Sequence, residues 1–294
     1  MFFQLLINGL IAGSIYALIA SGFSIIYTTN KFVHFAHGST ATVAAYFLYW
    51  IFSNFGLPLY LVFPLTILIA ALFGFLVHLL IYLPLKKRKS SSVILLIASL
   101  ALMAFFDNLM QLLFGADVKI LSIFPHGKGI EILGAYITPI QIVILIVVLL
   151  LFFGLWAFSK YSKLGKIMRA VSDNPELAKT TGINSIRVQH WSFVIGSAIA
   201  GLAGILIALE HNIEPAMGTH LMIQGFTAAV IGGVTSIPGS IVGAYVLGLT
   251  ENFGIWFLPS GYKSAIAFVL LLIFLIIRPQ GIFGINQGNR DQKM

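Results

Sequence analysis

The sequence predicts an all-α polytopic membrane protein of about eight transmembrane helices, some of them broken or re-entrant. Three observations carry this. Hydrophobic residues occupy 59% of the 294 positions and charged residues 9%, where a soluble domain has about 25% charged. The apolar runs reach the roughly 20 residues that a helix needs to cross about 30 Å of hydrocarbon. The basic residues bring the net charge to +8 and gather in a few loops between those runs, as cytoplasmic loops do. That distribution explains the charge without a nucleic-acid partner. There is no cysteine, which excludes disulfides and thiolate sites. The length suits one membrane domain over residues 1–285 and a polar tail over 286–294, with no soluble domain appended.

Phe2 to Tyr27 is the first span. No Lys or Arg precedes Lys31, so the positive n-region of a signal peptide is missing and the span is expected to stay in the mature protein. Gly9 and Gly13, then Ala17 and Ser21, give it a small-residue face that a neighbouring helix can approach closely. Lys31 to His37 interrupts the apolar pattern, and Gly38 to Phe52 resumes it. Leu59 to Leu83 crosses again and is expected to stop at Pro84. The cluster Lys86, Lys87, Arg88 and Lys89 follows, the strongest cytoplasmic mark in the chain. Val93 to Phe114 runs outward, the weakly charged stretch Gly115 to Tyr136 lies outside, and Thr138 to Phe158 returns. The return delivers Lys160, Lys163, Lys166, Arg169, Lys179 and Arg187 to the same side as the first cluster. Trp191 to Leu209 crosses outward. Leu221 to Trp256 is apolar but broken from Gly232 to Gly239, and its first arm is too short to span, which predicts a re-entrant pair or a broken helix. Tyr262 to Ile277 is the last span, anchored inside by Arg278. This order places the N-terminus outside and the C-terminus in the cytoplasm.

The longest water-facing stretch, 159–190, contains a very short helix with both ends specified. Asn174 is the N-cap, Pro175 takes the first helical position, Glu176 lies in the first turn and Gly182 just beyond the end. A helix this short is marginal in water, which predicts that it docks on a partner protein through Leu177 and Ala178. Two further places break the apolar pattern: Asn30 to Ser39, and Gly232 to Ser240. Irregular backbone at membrane depth is tolerated only where it is packed in protein or lines a wet cavity, and in transporters such breaks form the substrate path. The candidate path residues are His37, Gly38, Ser39, Gly232, Gly233, Thr235, Ser236 and Gly239; a tight helix contact that requires glycine is the alternative at each break. His34 and His37 supply two of the three protein ligands that a catalytic metal site normally needs, and a hydrogen-bonding role at a helix break suits them better. No metal, cofactor or catalytic residue is assigned. Asp107 and Glu251 are ionisable groups placed in the membrane region, and neither falls in a motif that gives it a role.

Glu176-Leu-Ala-Lys-Thr-Thr-Gly182 resembles the E-A-A-x-x-x-G loop of bacterial ABC importer permeases, with Leu177 in place of the first Ala and no Leu-Pro pair downstream. Asn8-Gly9 with Gly13-Ser-Ile-Tyr-Ala-Leu18, Phe35-Ala-His-Gly38, Ala229-Val-Ile-Gly-Gly233 with Ser236-Ile-Pro-Gly239, and Arg278-Pro-x-Gly281 are together similar to the membrane subunits of high-affinity branched-chain amino-acid importers, LivH type. The resemblance implies the ABC importer permease fold in a bacterial inner membrane. It makes Asn174, Pro175, Glu176, Leu177, Ala178 and Gly182 the coupling helix that seats on an ATPase subunit. It also implies the partners: a second permease subunit, usually non-identical, two cytoplasmic ABC ATPases, and an external amino-acid-binding protein. No G-x-x-x-x-G-K-[ST] phosphate loop occurs in the chain, so ATP hydrolysis belongs to those partners. The same motifs fit a urea or short-amide permease of the family. Readings from other classes are an ion-coupled secondary transporter, for which a buried carboxylate on the path is expected, and a membrane enzyme built on His34 and His37.

Overall fold

The computed structural model describes residues 1–121, 129–132 and 134–284. Helix α1 (Phe2–Asn30) is the inner helix on which the rest assembles. Its small residues do what their spacing predicts: a methyl group added at Gly9 or Gly13 would press on the backbone of Leu249 or Tyr245, each 3.1 Å away. Helix α1 then ends on Lys31, which takes a left-handed conformation at φ 57°.

Helix α2 (His37–Phe55) leads to α3 (Leu59–Val77), which continues through a π-helical turn, His78–Tyr82, into α4 (Leu83–Lys87). The helix therefore does not stop at Pro84. The wider π turn lies immediately before the proline, whose ring and missing N–H a regular helix interior does not accommodate. Helix α5 (Ser92–Phe114) starts on the Ser91 cap. Beyond it, where the sequence suggested only loop, a short antiparallel hairpin forms from β1 (Ile130–Ile132) and β2 (Ala135–Ile137). Helix α6 (Pro139–Tyr161) opens on a reciprocal capping box: Thr138 Oγ1 accepts from the Gln141 N–H at 3.3 Å, and Gln141 Oε1 accepts from the Thr138 N–H at 3.0 Å.

In the 159–190 loop lie α7 (Lys163–Asp173) and α8 (Pro175–Thr180), followed by α9 (Ser185–Glu210). Helices α10 (Met217–Gly232) and α11 (Ile237–Gly254) form a pair bent by 115°, in line with the expected broken or re-entrant segment. Helix α12 (Lys263–Ile277) closes the described chain, and the tail 286–294 lies outside the described residues. Helices α1, α9, α10 and α11 form the centre, α2 and α3 pack around α9, and α5 and α6 stand at the edge.

Among the described residues, five helices are long and apolar enough to cross a membrane, or six if the bent pair is one span. The expected eight is not reached on that measure. Helix α12, with 15 residues, is short, and α2 dilutes its apolar run with His37, Ser39, Thr40 and Thr42.

Candidate functional site

The short helix α8 is built by its own punctuation. Asn174 Oδ1 accepts from the N–H groups of Glu176 and Leu177 at 3.1 and 3.0 Å. At the other end Gly182, at φ 82°, lets its N–H reach the Lys179 carbonyl while the Ile183 N–H reaches that of Ala178, both at 3.0 Å. This is the paired closure that a left-handed glycine permits. The helix is about 9 Å long, and its two apolar residues diverge. Leu177 is 62% exposed, whereas Ala178 is 4% exposed and turned into the chain.

Helix α7, which precedes it, is amphipathic: Met168 and Val171 are buried, while Lys163, Lys166 and Arg169 are exposed. Lys31 joins this loop to the membrane core, its ammonium donating to the Ser172 carbonyl at 2.8 Å. Burial lowers the pKa of Lys31 and the Asp173 carboxylate opposes that shift. Beside it, Asn30 Oδ1 accepts from Lys86 Nζ at 2.6 Å, Lys86 Nζ also donates to Gln189 Oε1 at 3.2 Å, and Asn30 Nδ2 donates to Ser192 Oγ at 3.0 Å. The ends of α1, α4, α7 and α9 are thus tied at one place.

The break after α1 turns back into the bundle. His37 lies against Gly22, which is eight residues before the end of α1, about 12 Å along its axis. Gly38 packs against Gly218 and Met222 at the start of α10, whose Gly218 N–H donates to Thr42 Oγ1 at 3.0 Å. His37, Gly38 and Ser39 are fully buried, and the Ser39 hydroxyl has no hydrogen-bond partner among the described residues. His34 is occupied elsewhere, its Nδ1 2.9 Å from the Tyr82 hydroxyl.

The second break lies at the opposite end of α10. Gly218 and Gly232 are 14 residues apart, about 21 Å along a helix, so the two breaks do not meet within the chain. A methyl group at Gly232 would overlap the Gly239 carbonyl, and one at Gly233, itself at φ 107°, would lie 2.8 Å from the Gly284 nitrogen. The Arg278 segment is pinned here, with the Ile282 and Phe283 N–H groups donating to Ile231 and Gly232 carbonyls at 2.8 and 2.9 Å. Ser236 caps α11 by accepting from the Gly239 N–H at 3.1 Å. Thr235 and Ser236 also wall a cavity of about 780 Å³, together with Thr28 of α1, Ser159 of α6 and Met168 and Ser172 of α7. The second break and the 159–190 loop therefore share one space.

A family model described as "Branched-chain amino acid transport system / permease component" matches residues 5–275. The chain belongs to this family. Among its relatives, this permease is 34% identical over 296 residues to the high-affinity branched-chain amino acid transport system permease protein BraD of Pseudomonas aeruginosa, covering 96% of both chains. It is 35% identical over 297 residues to LivH of Salmonella typhimurium, again with 96% of each covered. A probable branched-chain amino acid transport permease protein LivH of Methanocaldococcus jannaschii is 31% identical, with 96% of this permease and 93% of the relative covered. No solved structure matches.

Sequence reasoning missed three features of the permease. Helix α7 was legible, since Leu164, Ile167, Met168 and Val171 recur at helical spacing. Lys31 as a strut had no local signal. Glu251 stood out as an ionisable group in an apolar stretch, but its partner did not: its Oε2 accepts from the Tyr16 hydroxyl at 2.8 Å across 235 positions.

Proposed function

We infer that this chain is the membrane-spanning permease subunit of an ATP-driven importer and forms the translocation path for branched-chain, hydrophobic amino acids. The observation that carries this reading is the family match along residues 5–275, joined to relatives of that name over nearly their whole length. The fold is then that of an ABC importer permease with about eight crossings, in a bacterial inner membrane, N-terminus outside and C-terminus in the cytoplasm. Its partners are a second permease subunit, two cytoplasmic ATPases and an external amino-acid-binding protein.

Within this reading α8 is the coupling helix. Asn174, Pro175, Glu176 and Gly182 hold its form, Leu177 enters the ATPase groove, and Ala178 anchors the helix to its own chain. Closure of the ATPases moves α8 and α7 together, and Lys31 passes that movement to the end of α1. The path is lined at one end of α10 by His37, Gly38 and Ser39, and at the other by Thr235 and Ser236. Gly232, Gly233 and Gly239 hold the turn behind them. Backbone dipoles and hydroxyls at the breaks steady the charged ends of a zwitterion without a fixed charge that would trap it.

Reconstitution in vesicles with the candidate partner subunits tests the reading. Labelled leucine is expected to accumulate only with ATP and the external binding protein present, and Lys31→Met is expected to lower uptake per ATP hydrolysed. Accumulation of urea or acetamide instead of leucine transfers the chain to the amide branch. Uptake driven by an ion gradient without ATPases rejects the importer altogether.

A further inference from the structure

An apolar groove of about 460 Å³ runs between α3 and α9. Leu68, Leu72 and Phe75 form one wall, and Trp191 and Val194 the other. Leu68, Leu72 and Trp191 are 65%, 52% and 50% exposed, so the groove opens on the outside of the bundle. From Leu68 to Phe75 it covers eight residues of helix, about 10 Å of the roughly 30 Å hydrocarbon core.

One end of the groove is charged. Arg187, in the first turn of α9, lines it, and no acidic residue does. Among the described residues the Arg187 guanidinium has no ion pair and no hydrogen bond. His190 also lines the groove, with its ring fixed from behind by His78, Nδ1 to Nδ1 3.0 Å. The bond from Lys86 to Gln189 brings the exposed Lys87, Arg88 and Lys89 to the same end of α9. The mouth is therefore positive, without an acidic partner and edged by Trp191 four residues beyond Arg187, while the interior is apolar.

We propose that this groove is a binding site for an anionic phospholipid of the cytoplasmic leaflet, one acyl chain lying along α3 and α9 and the phosphate held by Arg187. A guanidinium matches a phosphate with paired, charge-assisted hydrogen bonds, and basic pockets between helices on the cytoplasmic side suit anionic headgroups. An exposed Trp191 at the same level anchors the interface. The proposal rests on the cytoplasmic placement of the α9 start and is independent of what the permease carries.

Native mass spectrometry of the purified full-length chain tests it, with phosphatidylglycerol and phosphatidylethanolamine of identical acyl chains as probes. Phosphatidylglycerol is expected to be retained about fivefold more tightly, the effect of roughly one basic residue at a membrane surface. Arg187→Gln is expected to bring the two lipids to parity, and Leu72→Trp, which fills the groove and leaves Arg187 in place, to weaken both. Equal retention by the wild-type chain, or an undiminished preference in Arg187→Gln, overturns the site. So does capture of the second permease subunit by a short cross-linker at Leu72→Cys in the assembled transporter, because the groove is then a subunit interface.

Discussion

At Gly232 an added methyl group would overlap the Gly239 carbonyl, whereas Thr235, three positions on, is exposed to the cavity. The two residues should fail differently. Gly232→Leu forces backbone apart in a packed turn, a change of the kind that costs about 1–3 kcal/mol or more, and is expected to lower the yield of monodisperse membrane protein severalfold. Thr235→Cys is expected to fold and transport, and to react with a small thiol reagent at a rate that changes when ATP is trapped on the ATPases. Ser39→Cys, enclosed at rest, is expected to react only while the transporter turns over. A Thr235→Cys protein that stays unmodified in every nucleotide state removes this residue from the path. The sequence marked all these positions by composition alone, and spacing along a chain does not say what faces a break. The Gly232 to Gly239 contact is backbone against backbone, and the Tyr16 to Glu251 bond joins opposite ends of the sequence. The first lies within the marked break, where a tight glycine contact was the alternative; the second leaves no trace in any local window.

The short helix α8 shows what local chemistry does report. Its cap, its first-turn proline and its closing glycine were all legible, because each acts within a few residues. The direction of each side chain was not, because it depends on what α7 and α9 place beneath. With Ala178 turned inward and Leu177 outward, the two positions separate docking from folding. Leu177→Asp is expected to leave the permease folded and weaken its association with the ATPases about tenfold or more, since burying a leucine is worth about 1.5–3 kcal/mol. Ala178→Asp places a charge against the permease's own interior and is expected to loosen the 159–190 loop, read as faster proteolysis there before any partner is added. If Leu177→Asp leaves co-purification of the ATPases unchanged, α8 is an ordinary capped loop. The continuation of α3 into α4 is the opposite lesson: Pro84 read as a stop, and the π turn at His78–Tyr82 immediately before it carries the helix past.

At the scale of the molecule the basic clusters predict an orientation, and the absence of native cysteine makes that prediction measurable. Single cysteines at Ser91 and Ser172 are expected to react with an impermeant reagent only from the cytoplasmic side, and one at the exposed Val118 only from outside. Labelling of Ser172→Cys from outside inverts the whole arrangement, including the docking of α8. The all-α membrane class was legible because hydropathy acts over whole segments, whereas the number of crossings was not, since α2 and α12 fall short of an unbroken apolar span. The assembly of α1 with α9, α10 and α11 was legible only as a small-residue face awaiting a partner. That assembly sets a schedule for biogenesis. Helix α1 leaves the ribosome first, yet Glu251, the partner of Tyr16, follows 235 residues later, roughly 10–50 s at about 5–20 residues per second. During that interval the notched face of α1 has only lipid or the insertion machinery to lie against. A nascent chain cut short before α11 is thus left with the Gly9 and Gly13 side of α1 unmated, and membrane quality control has a reason to recognise it.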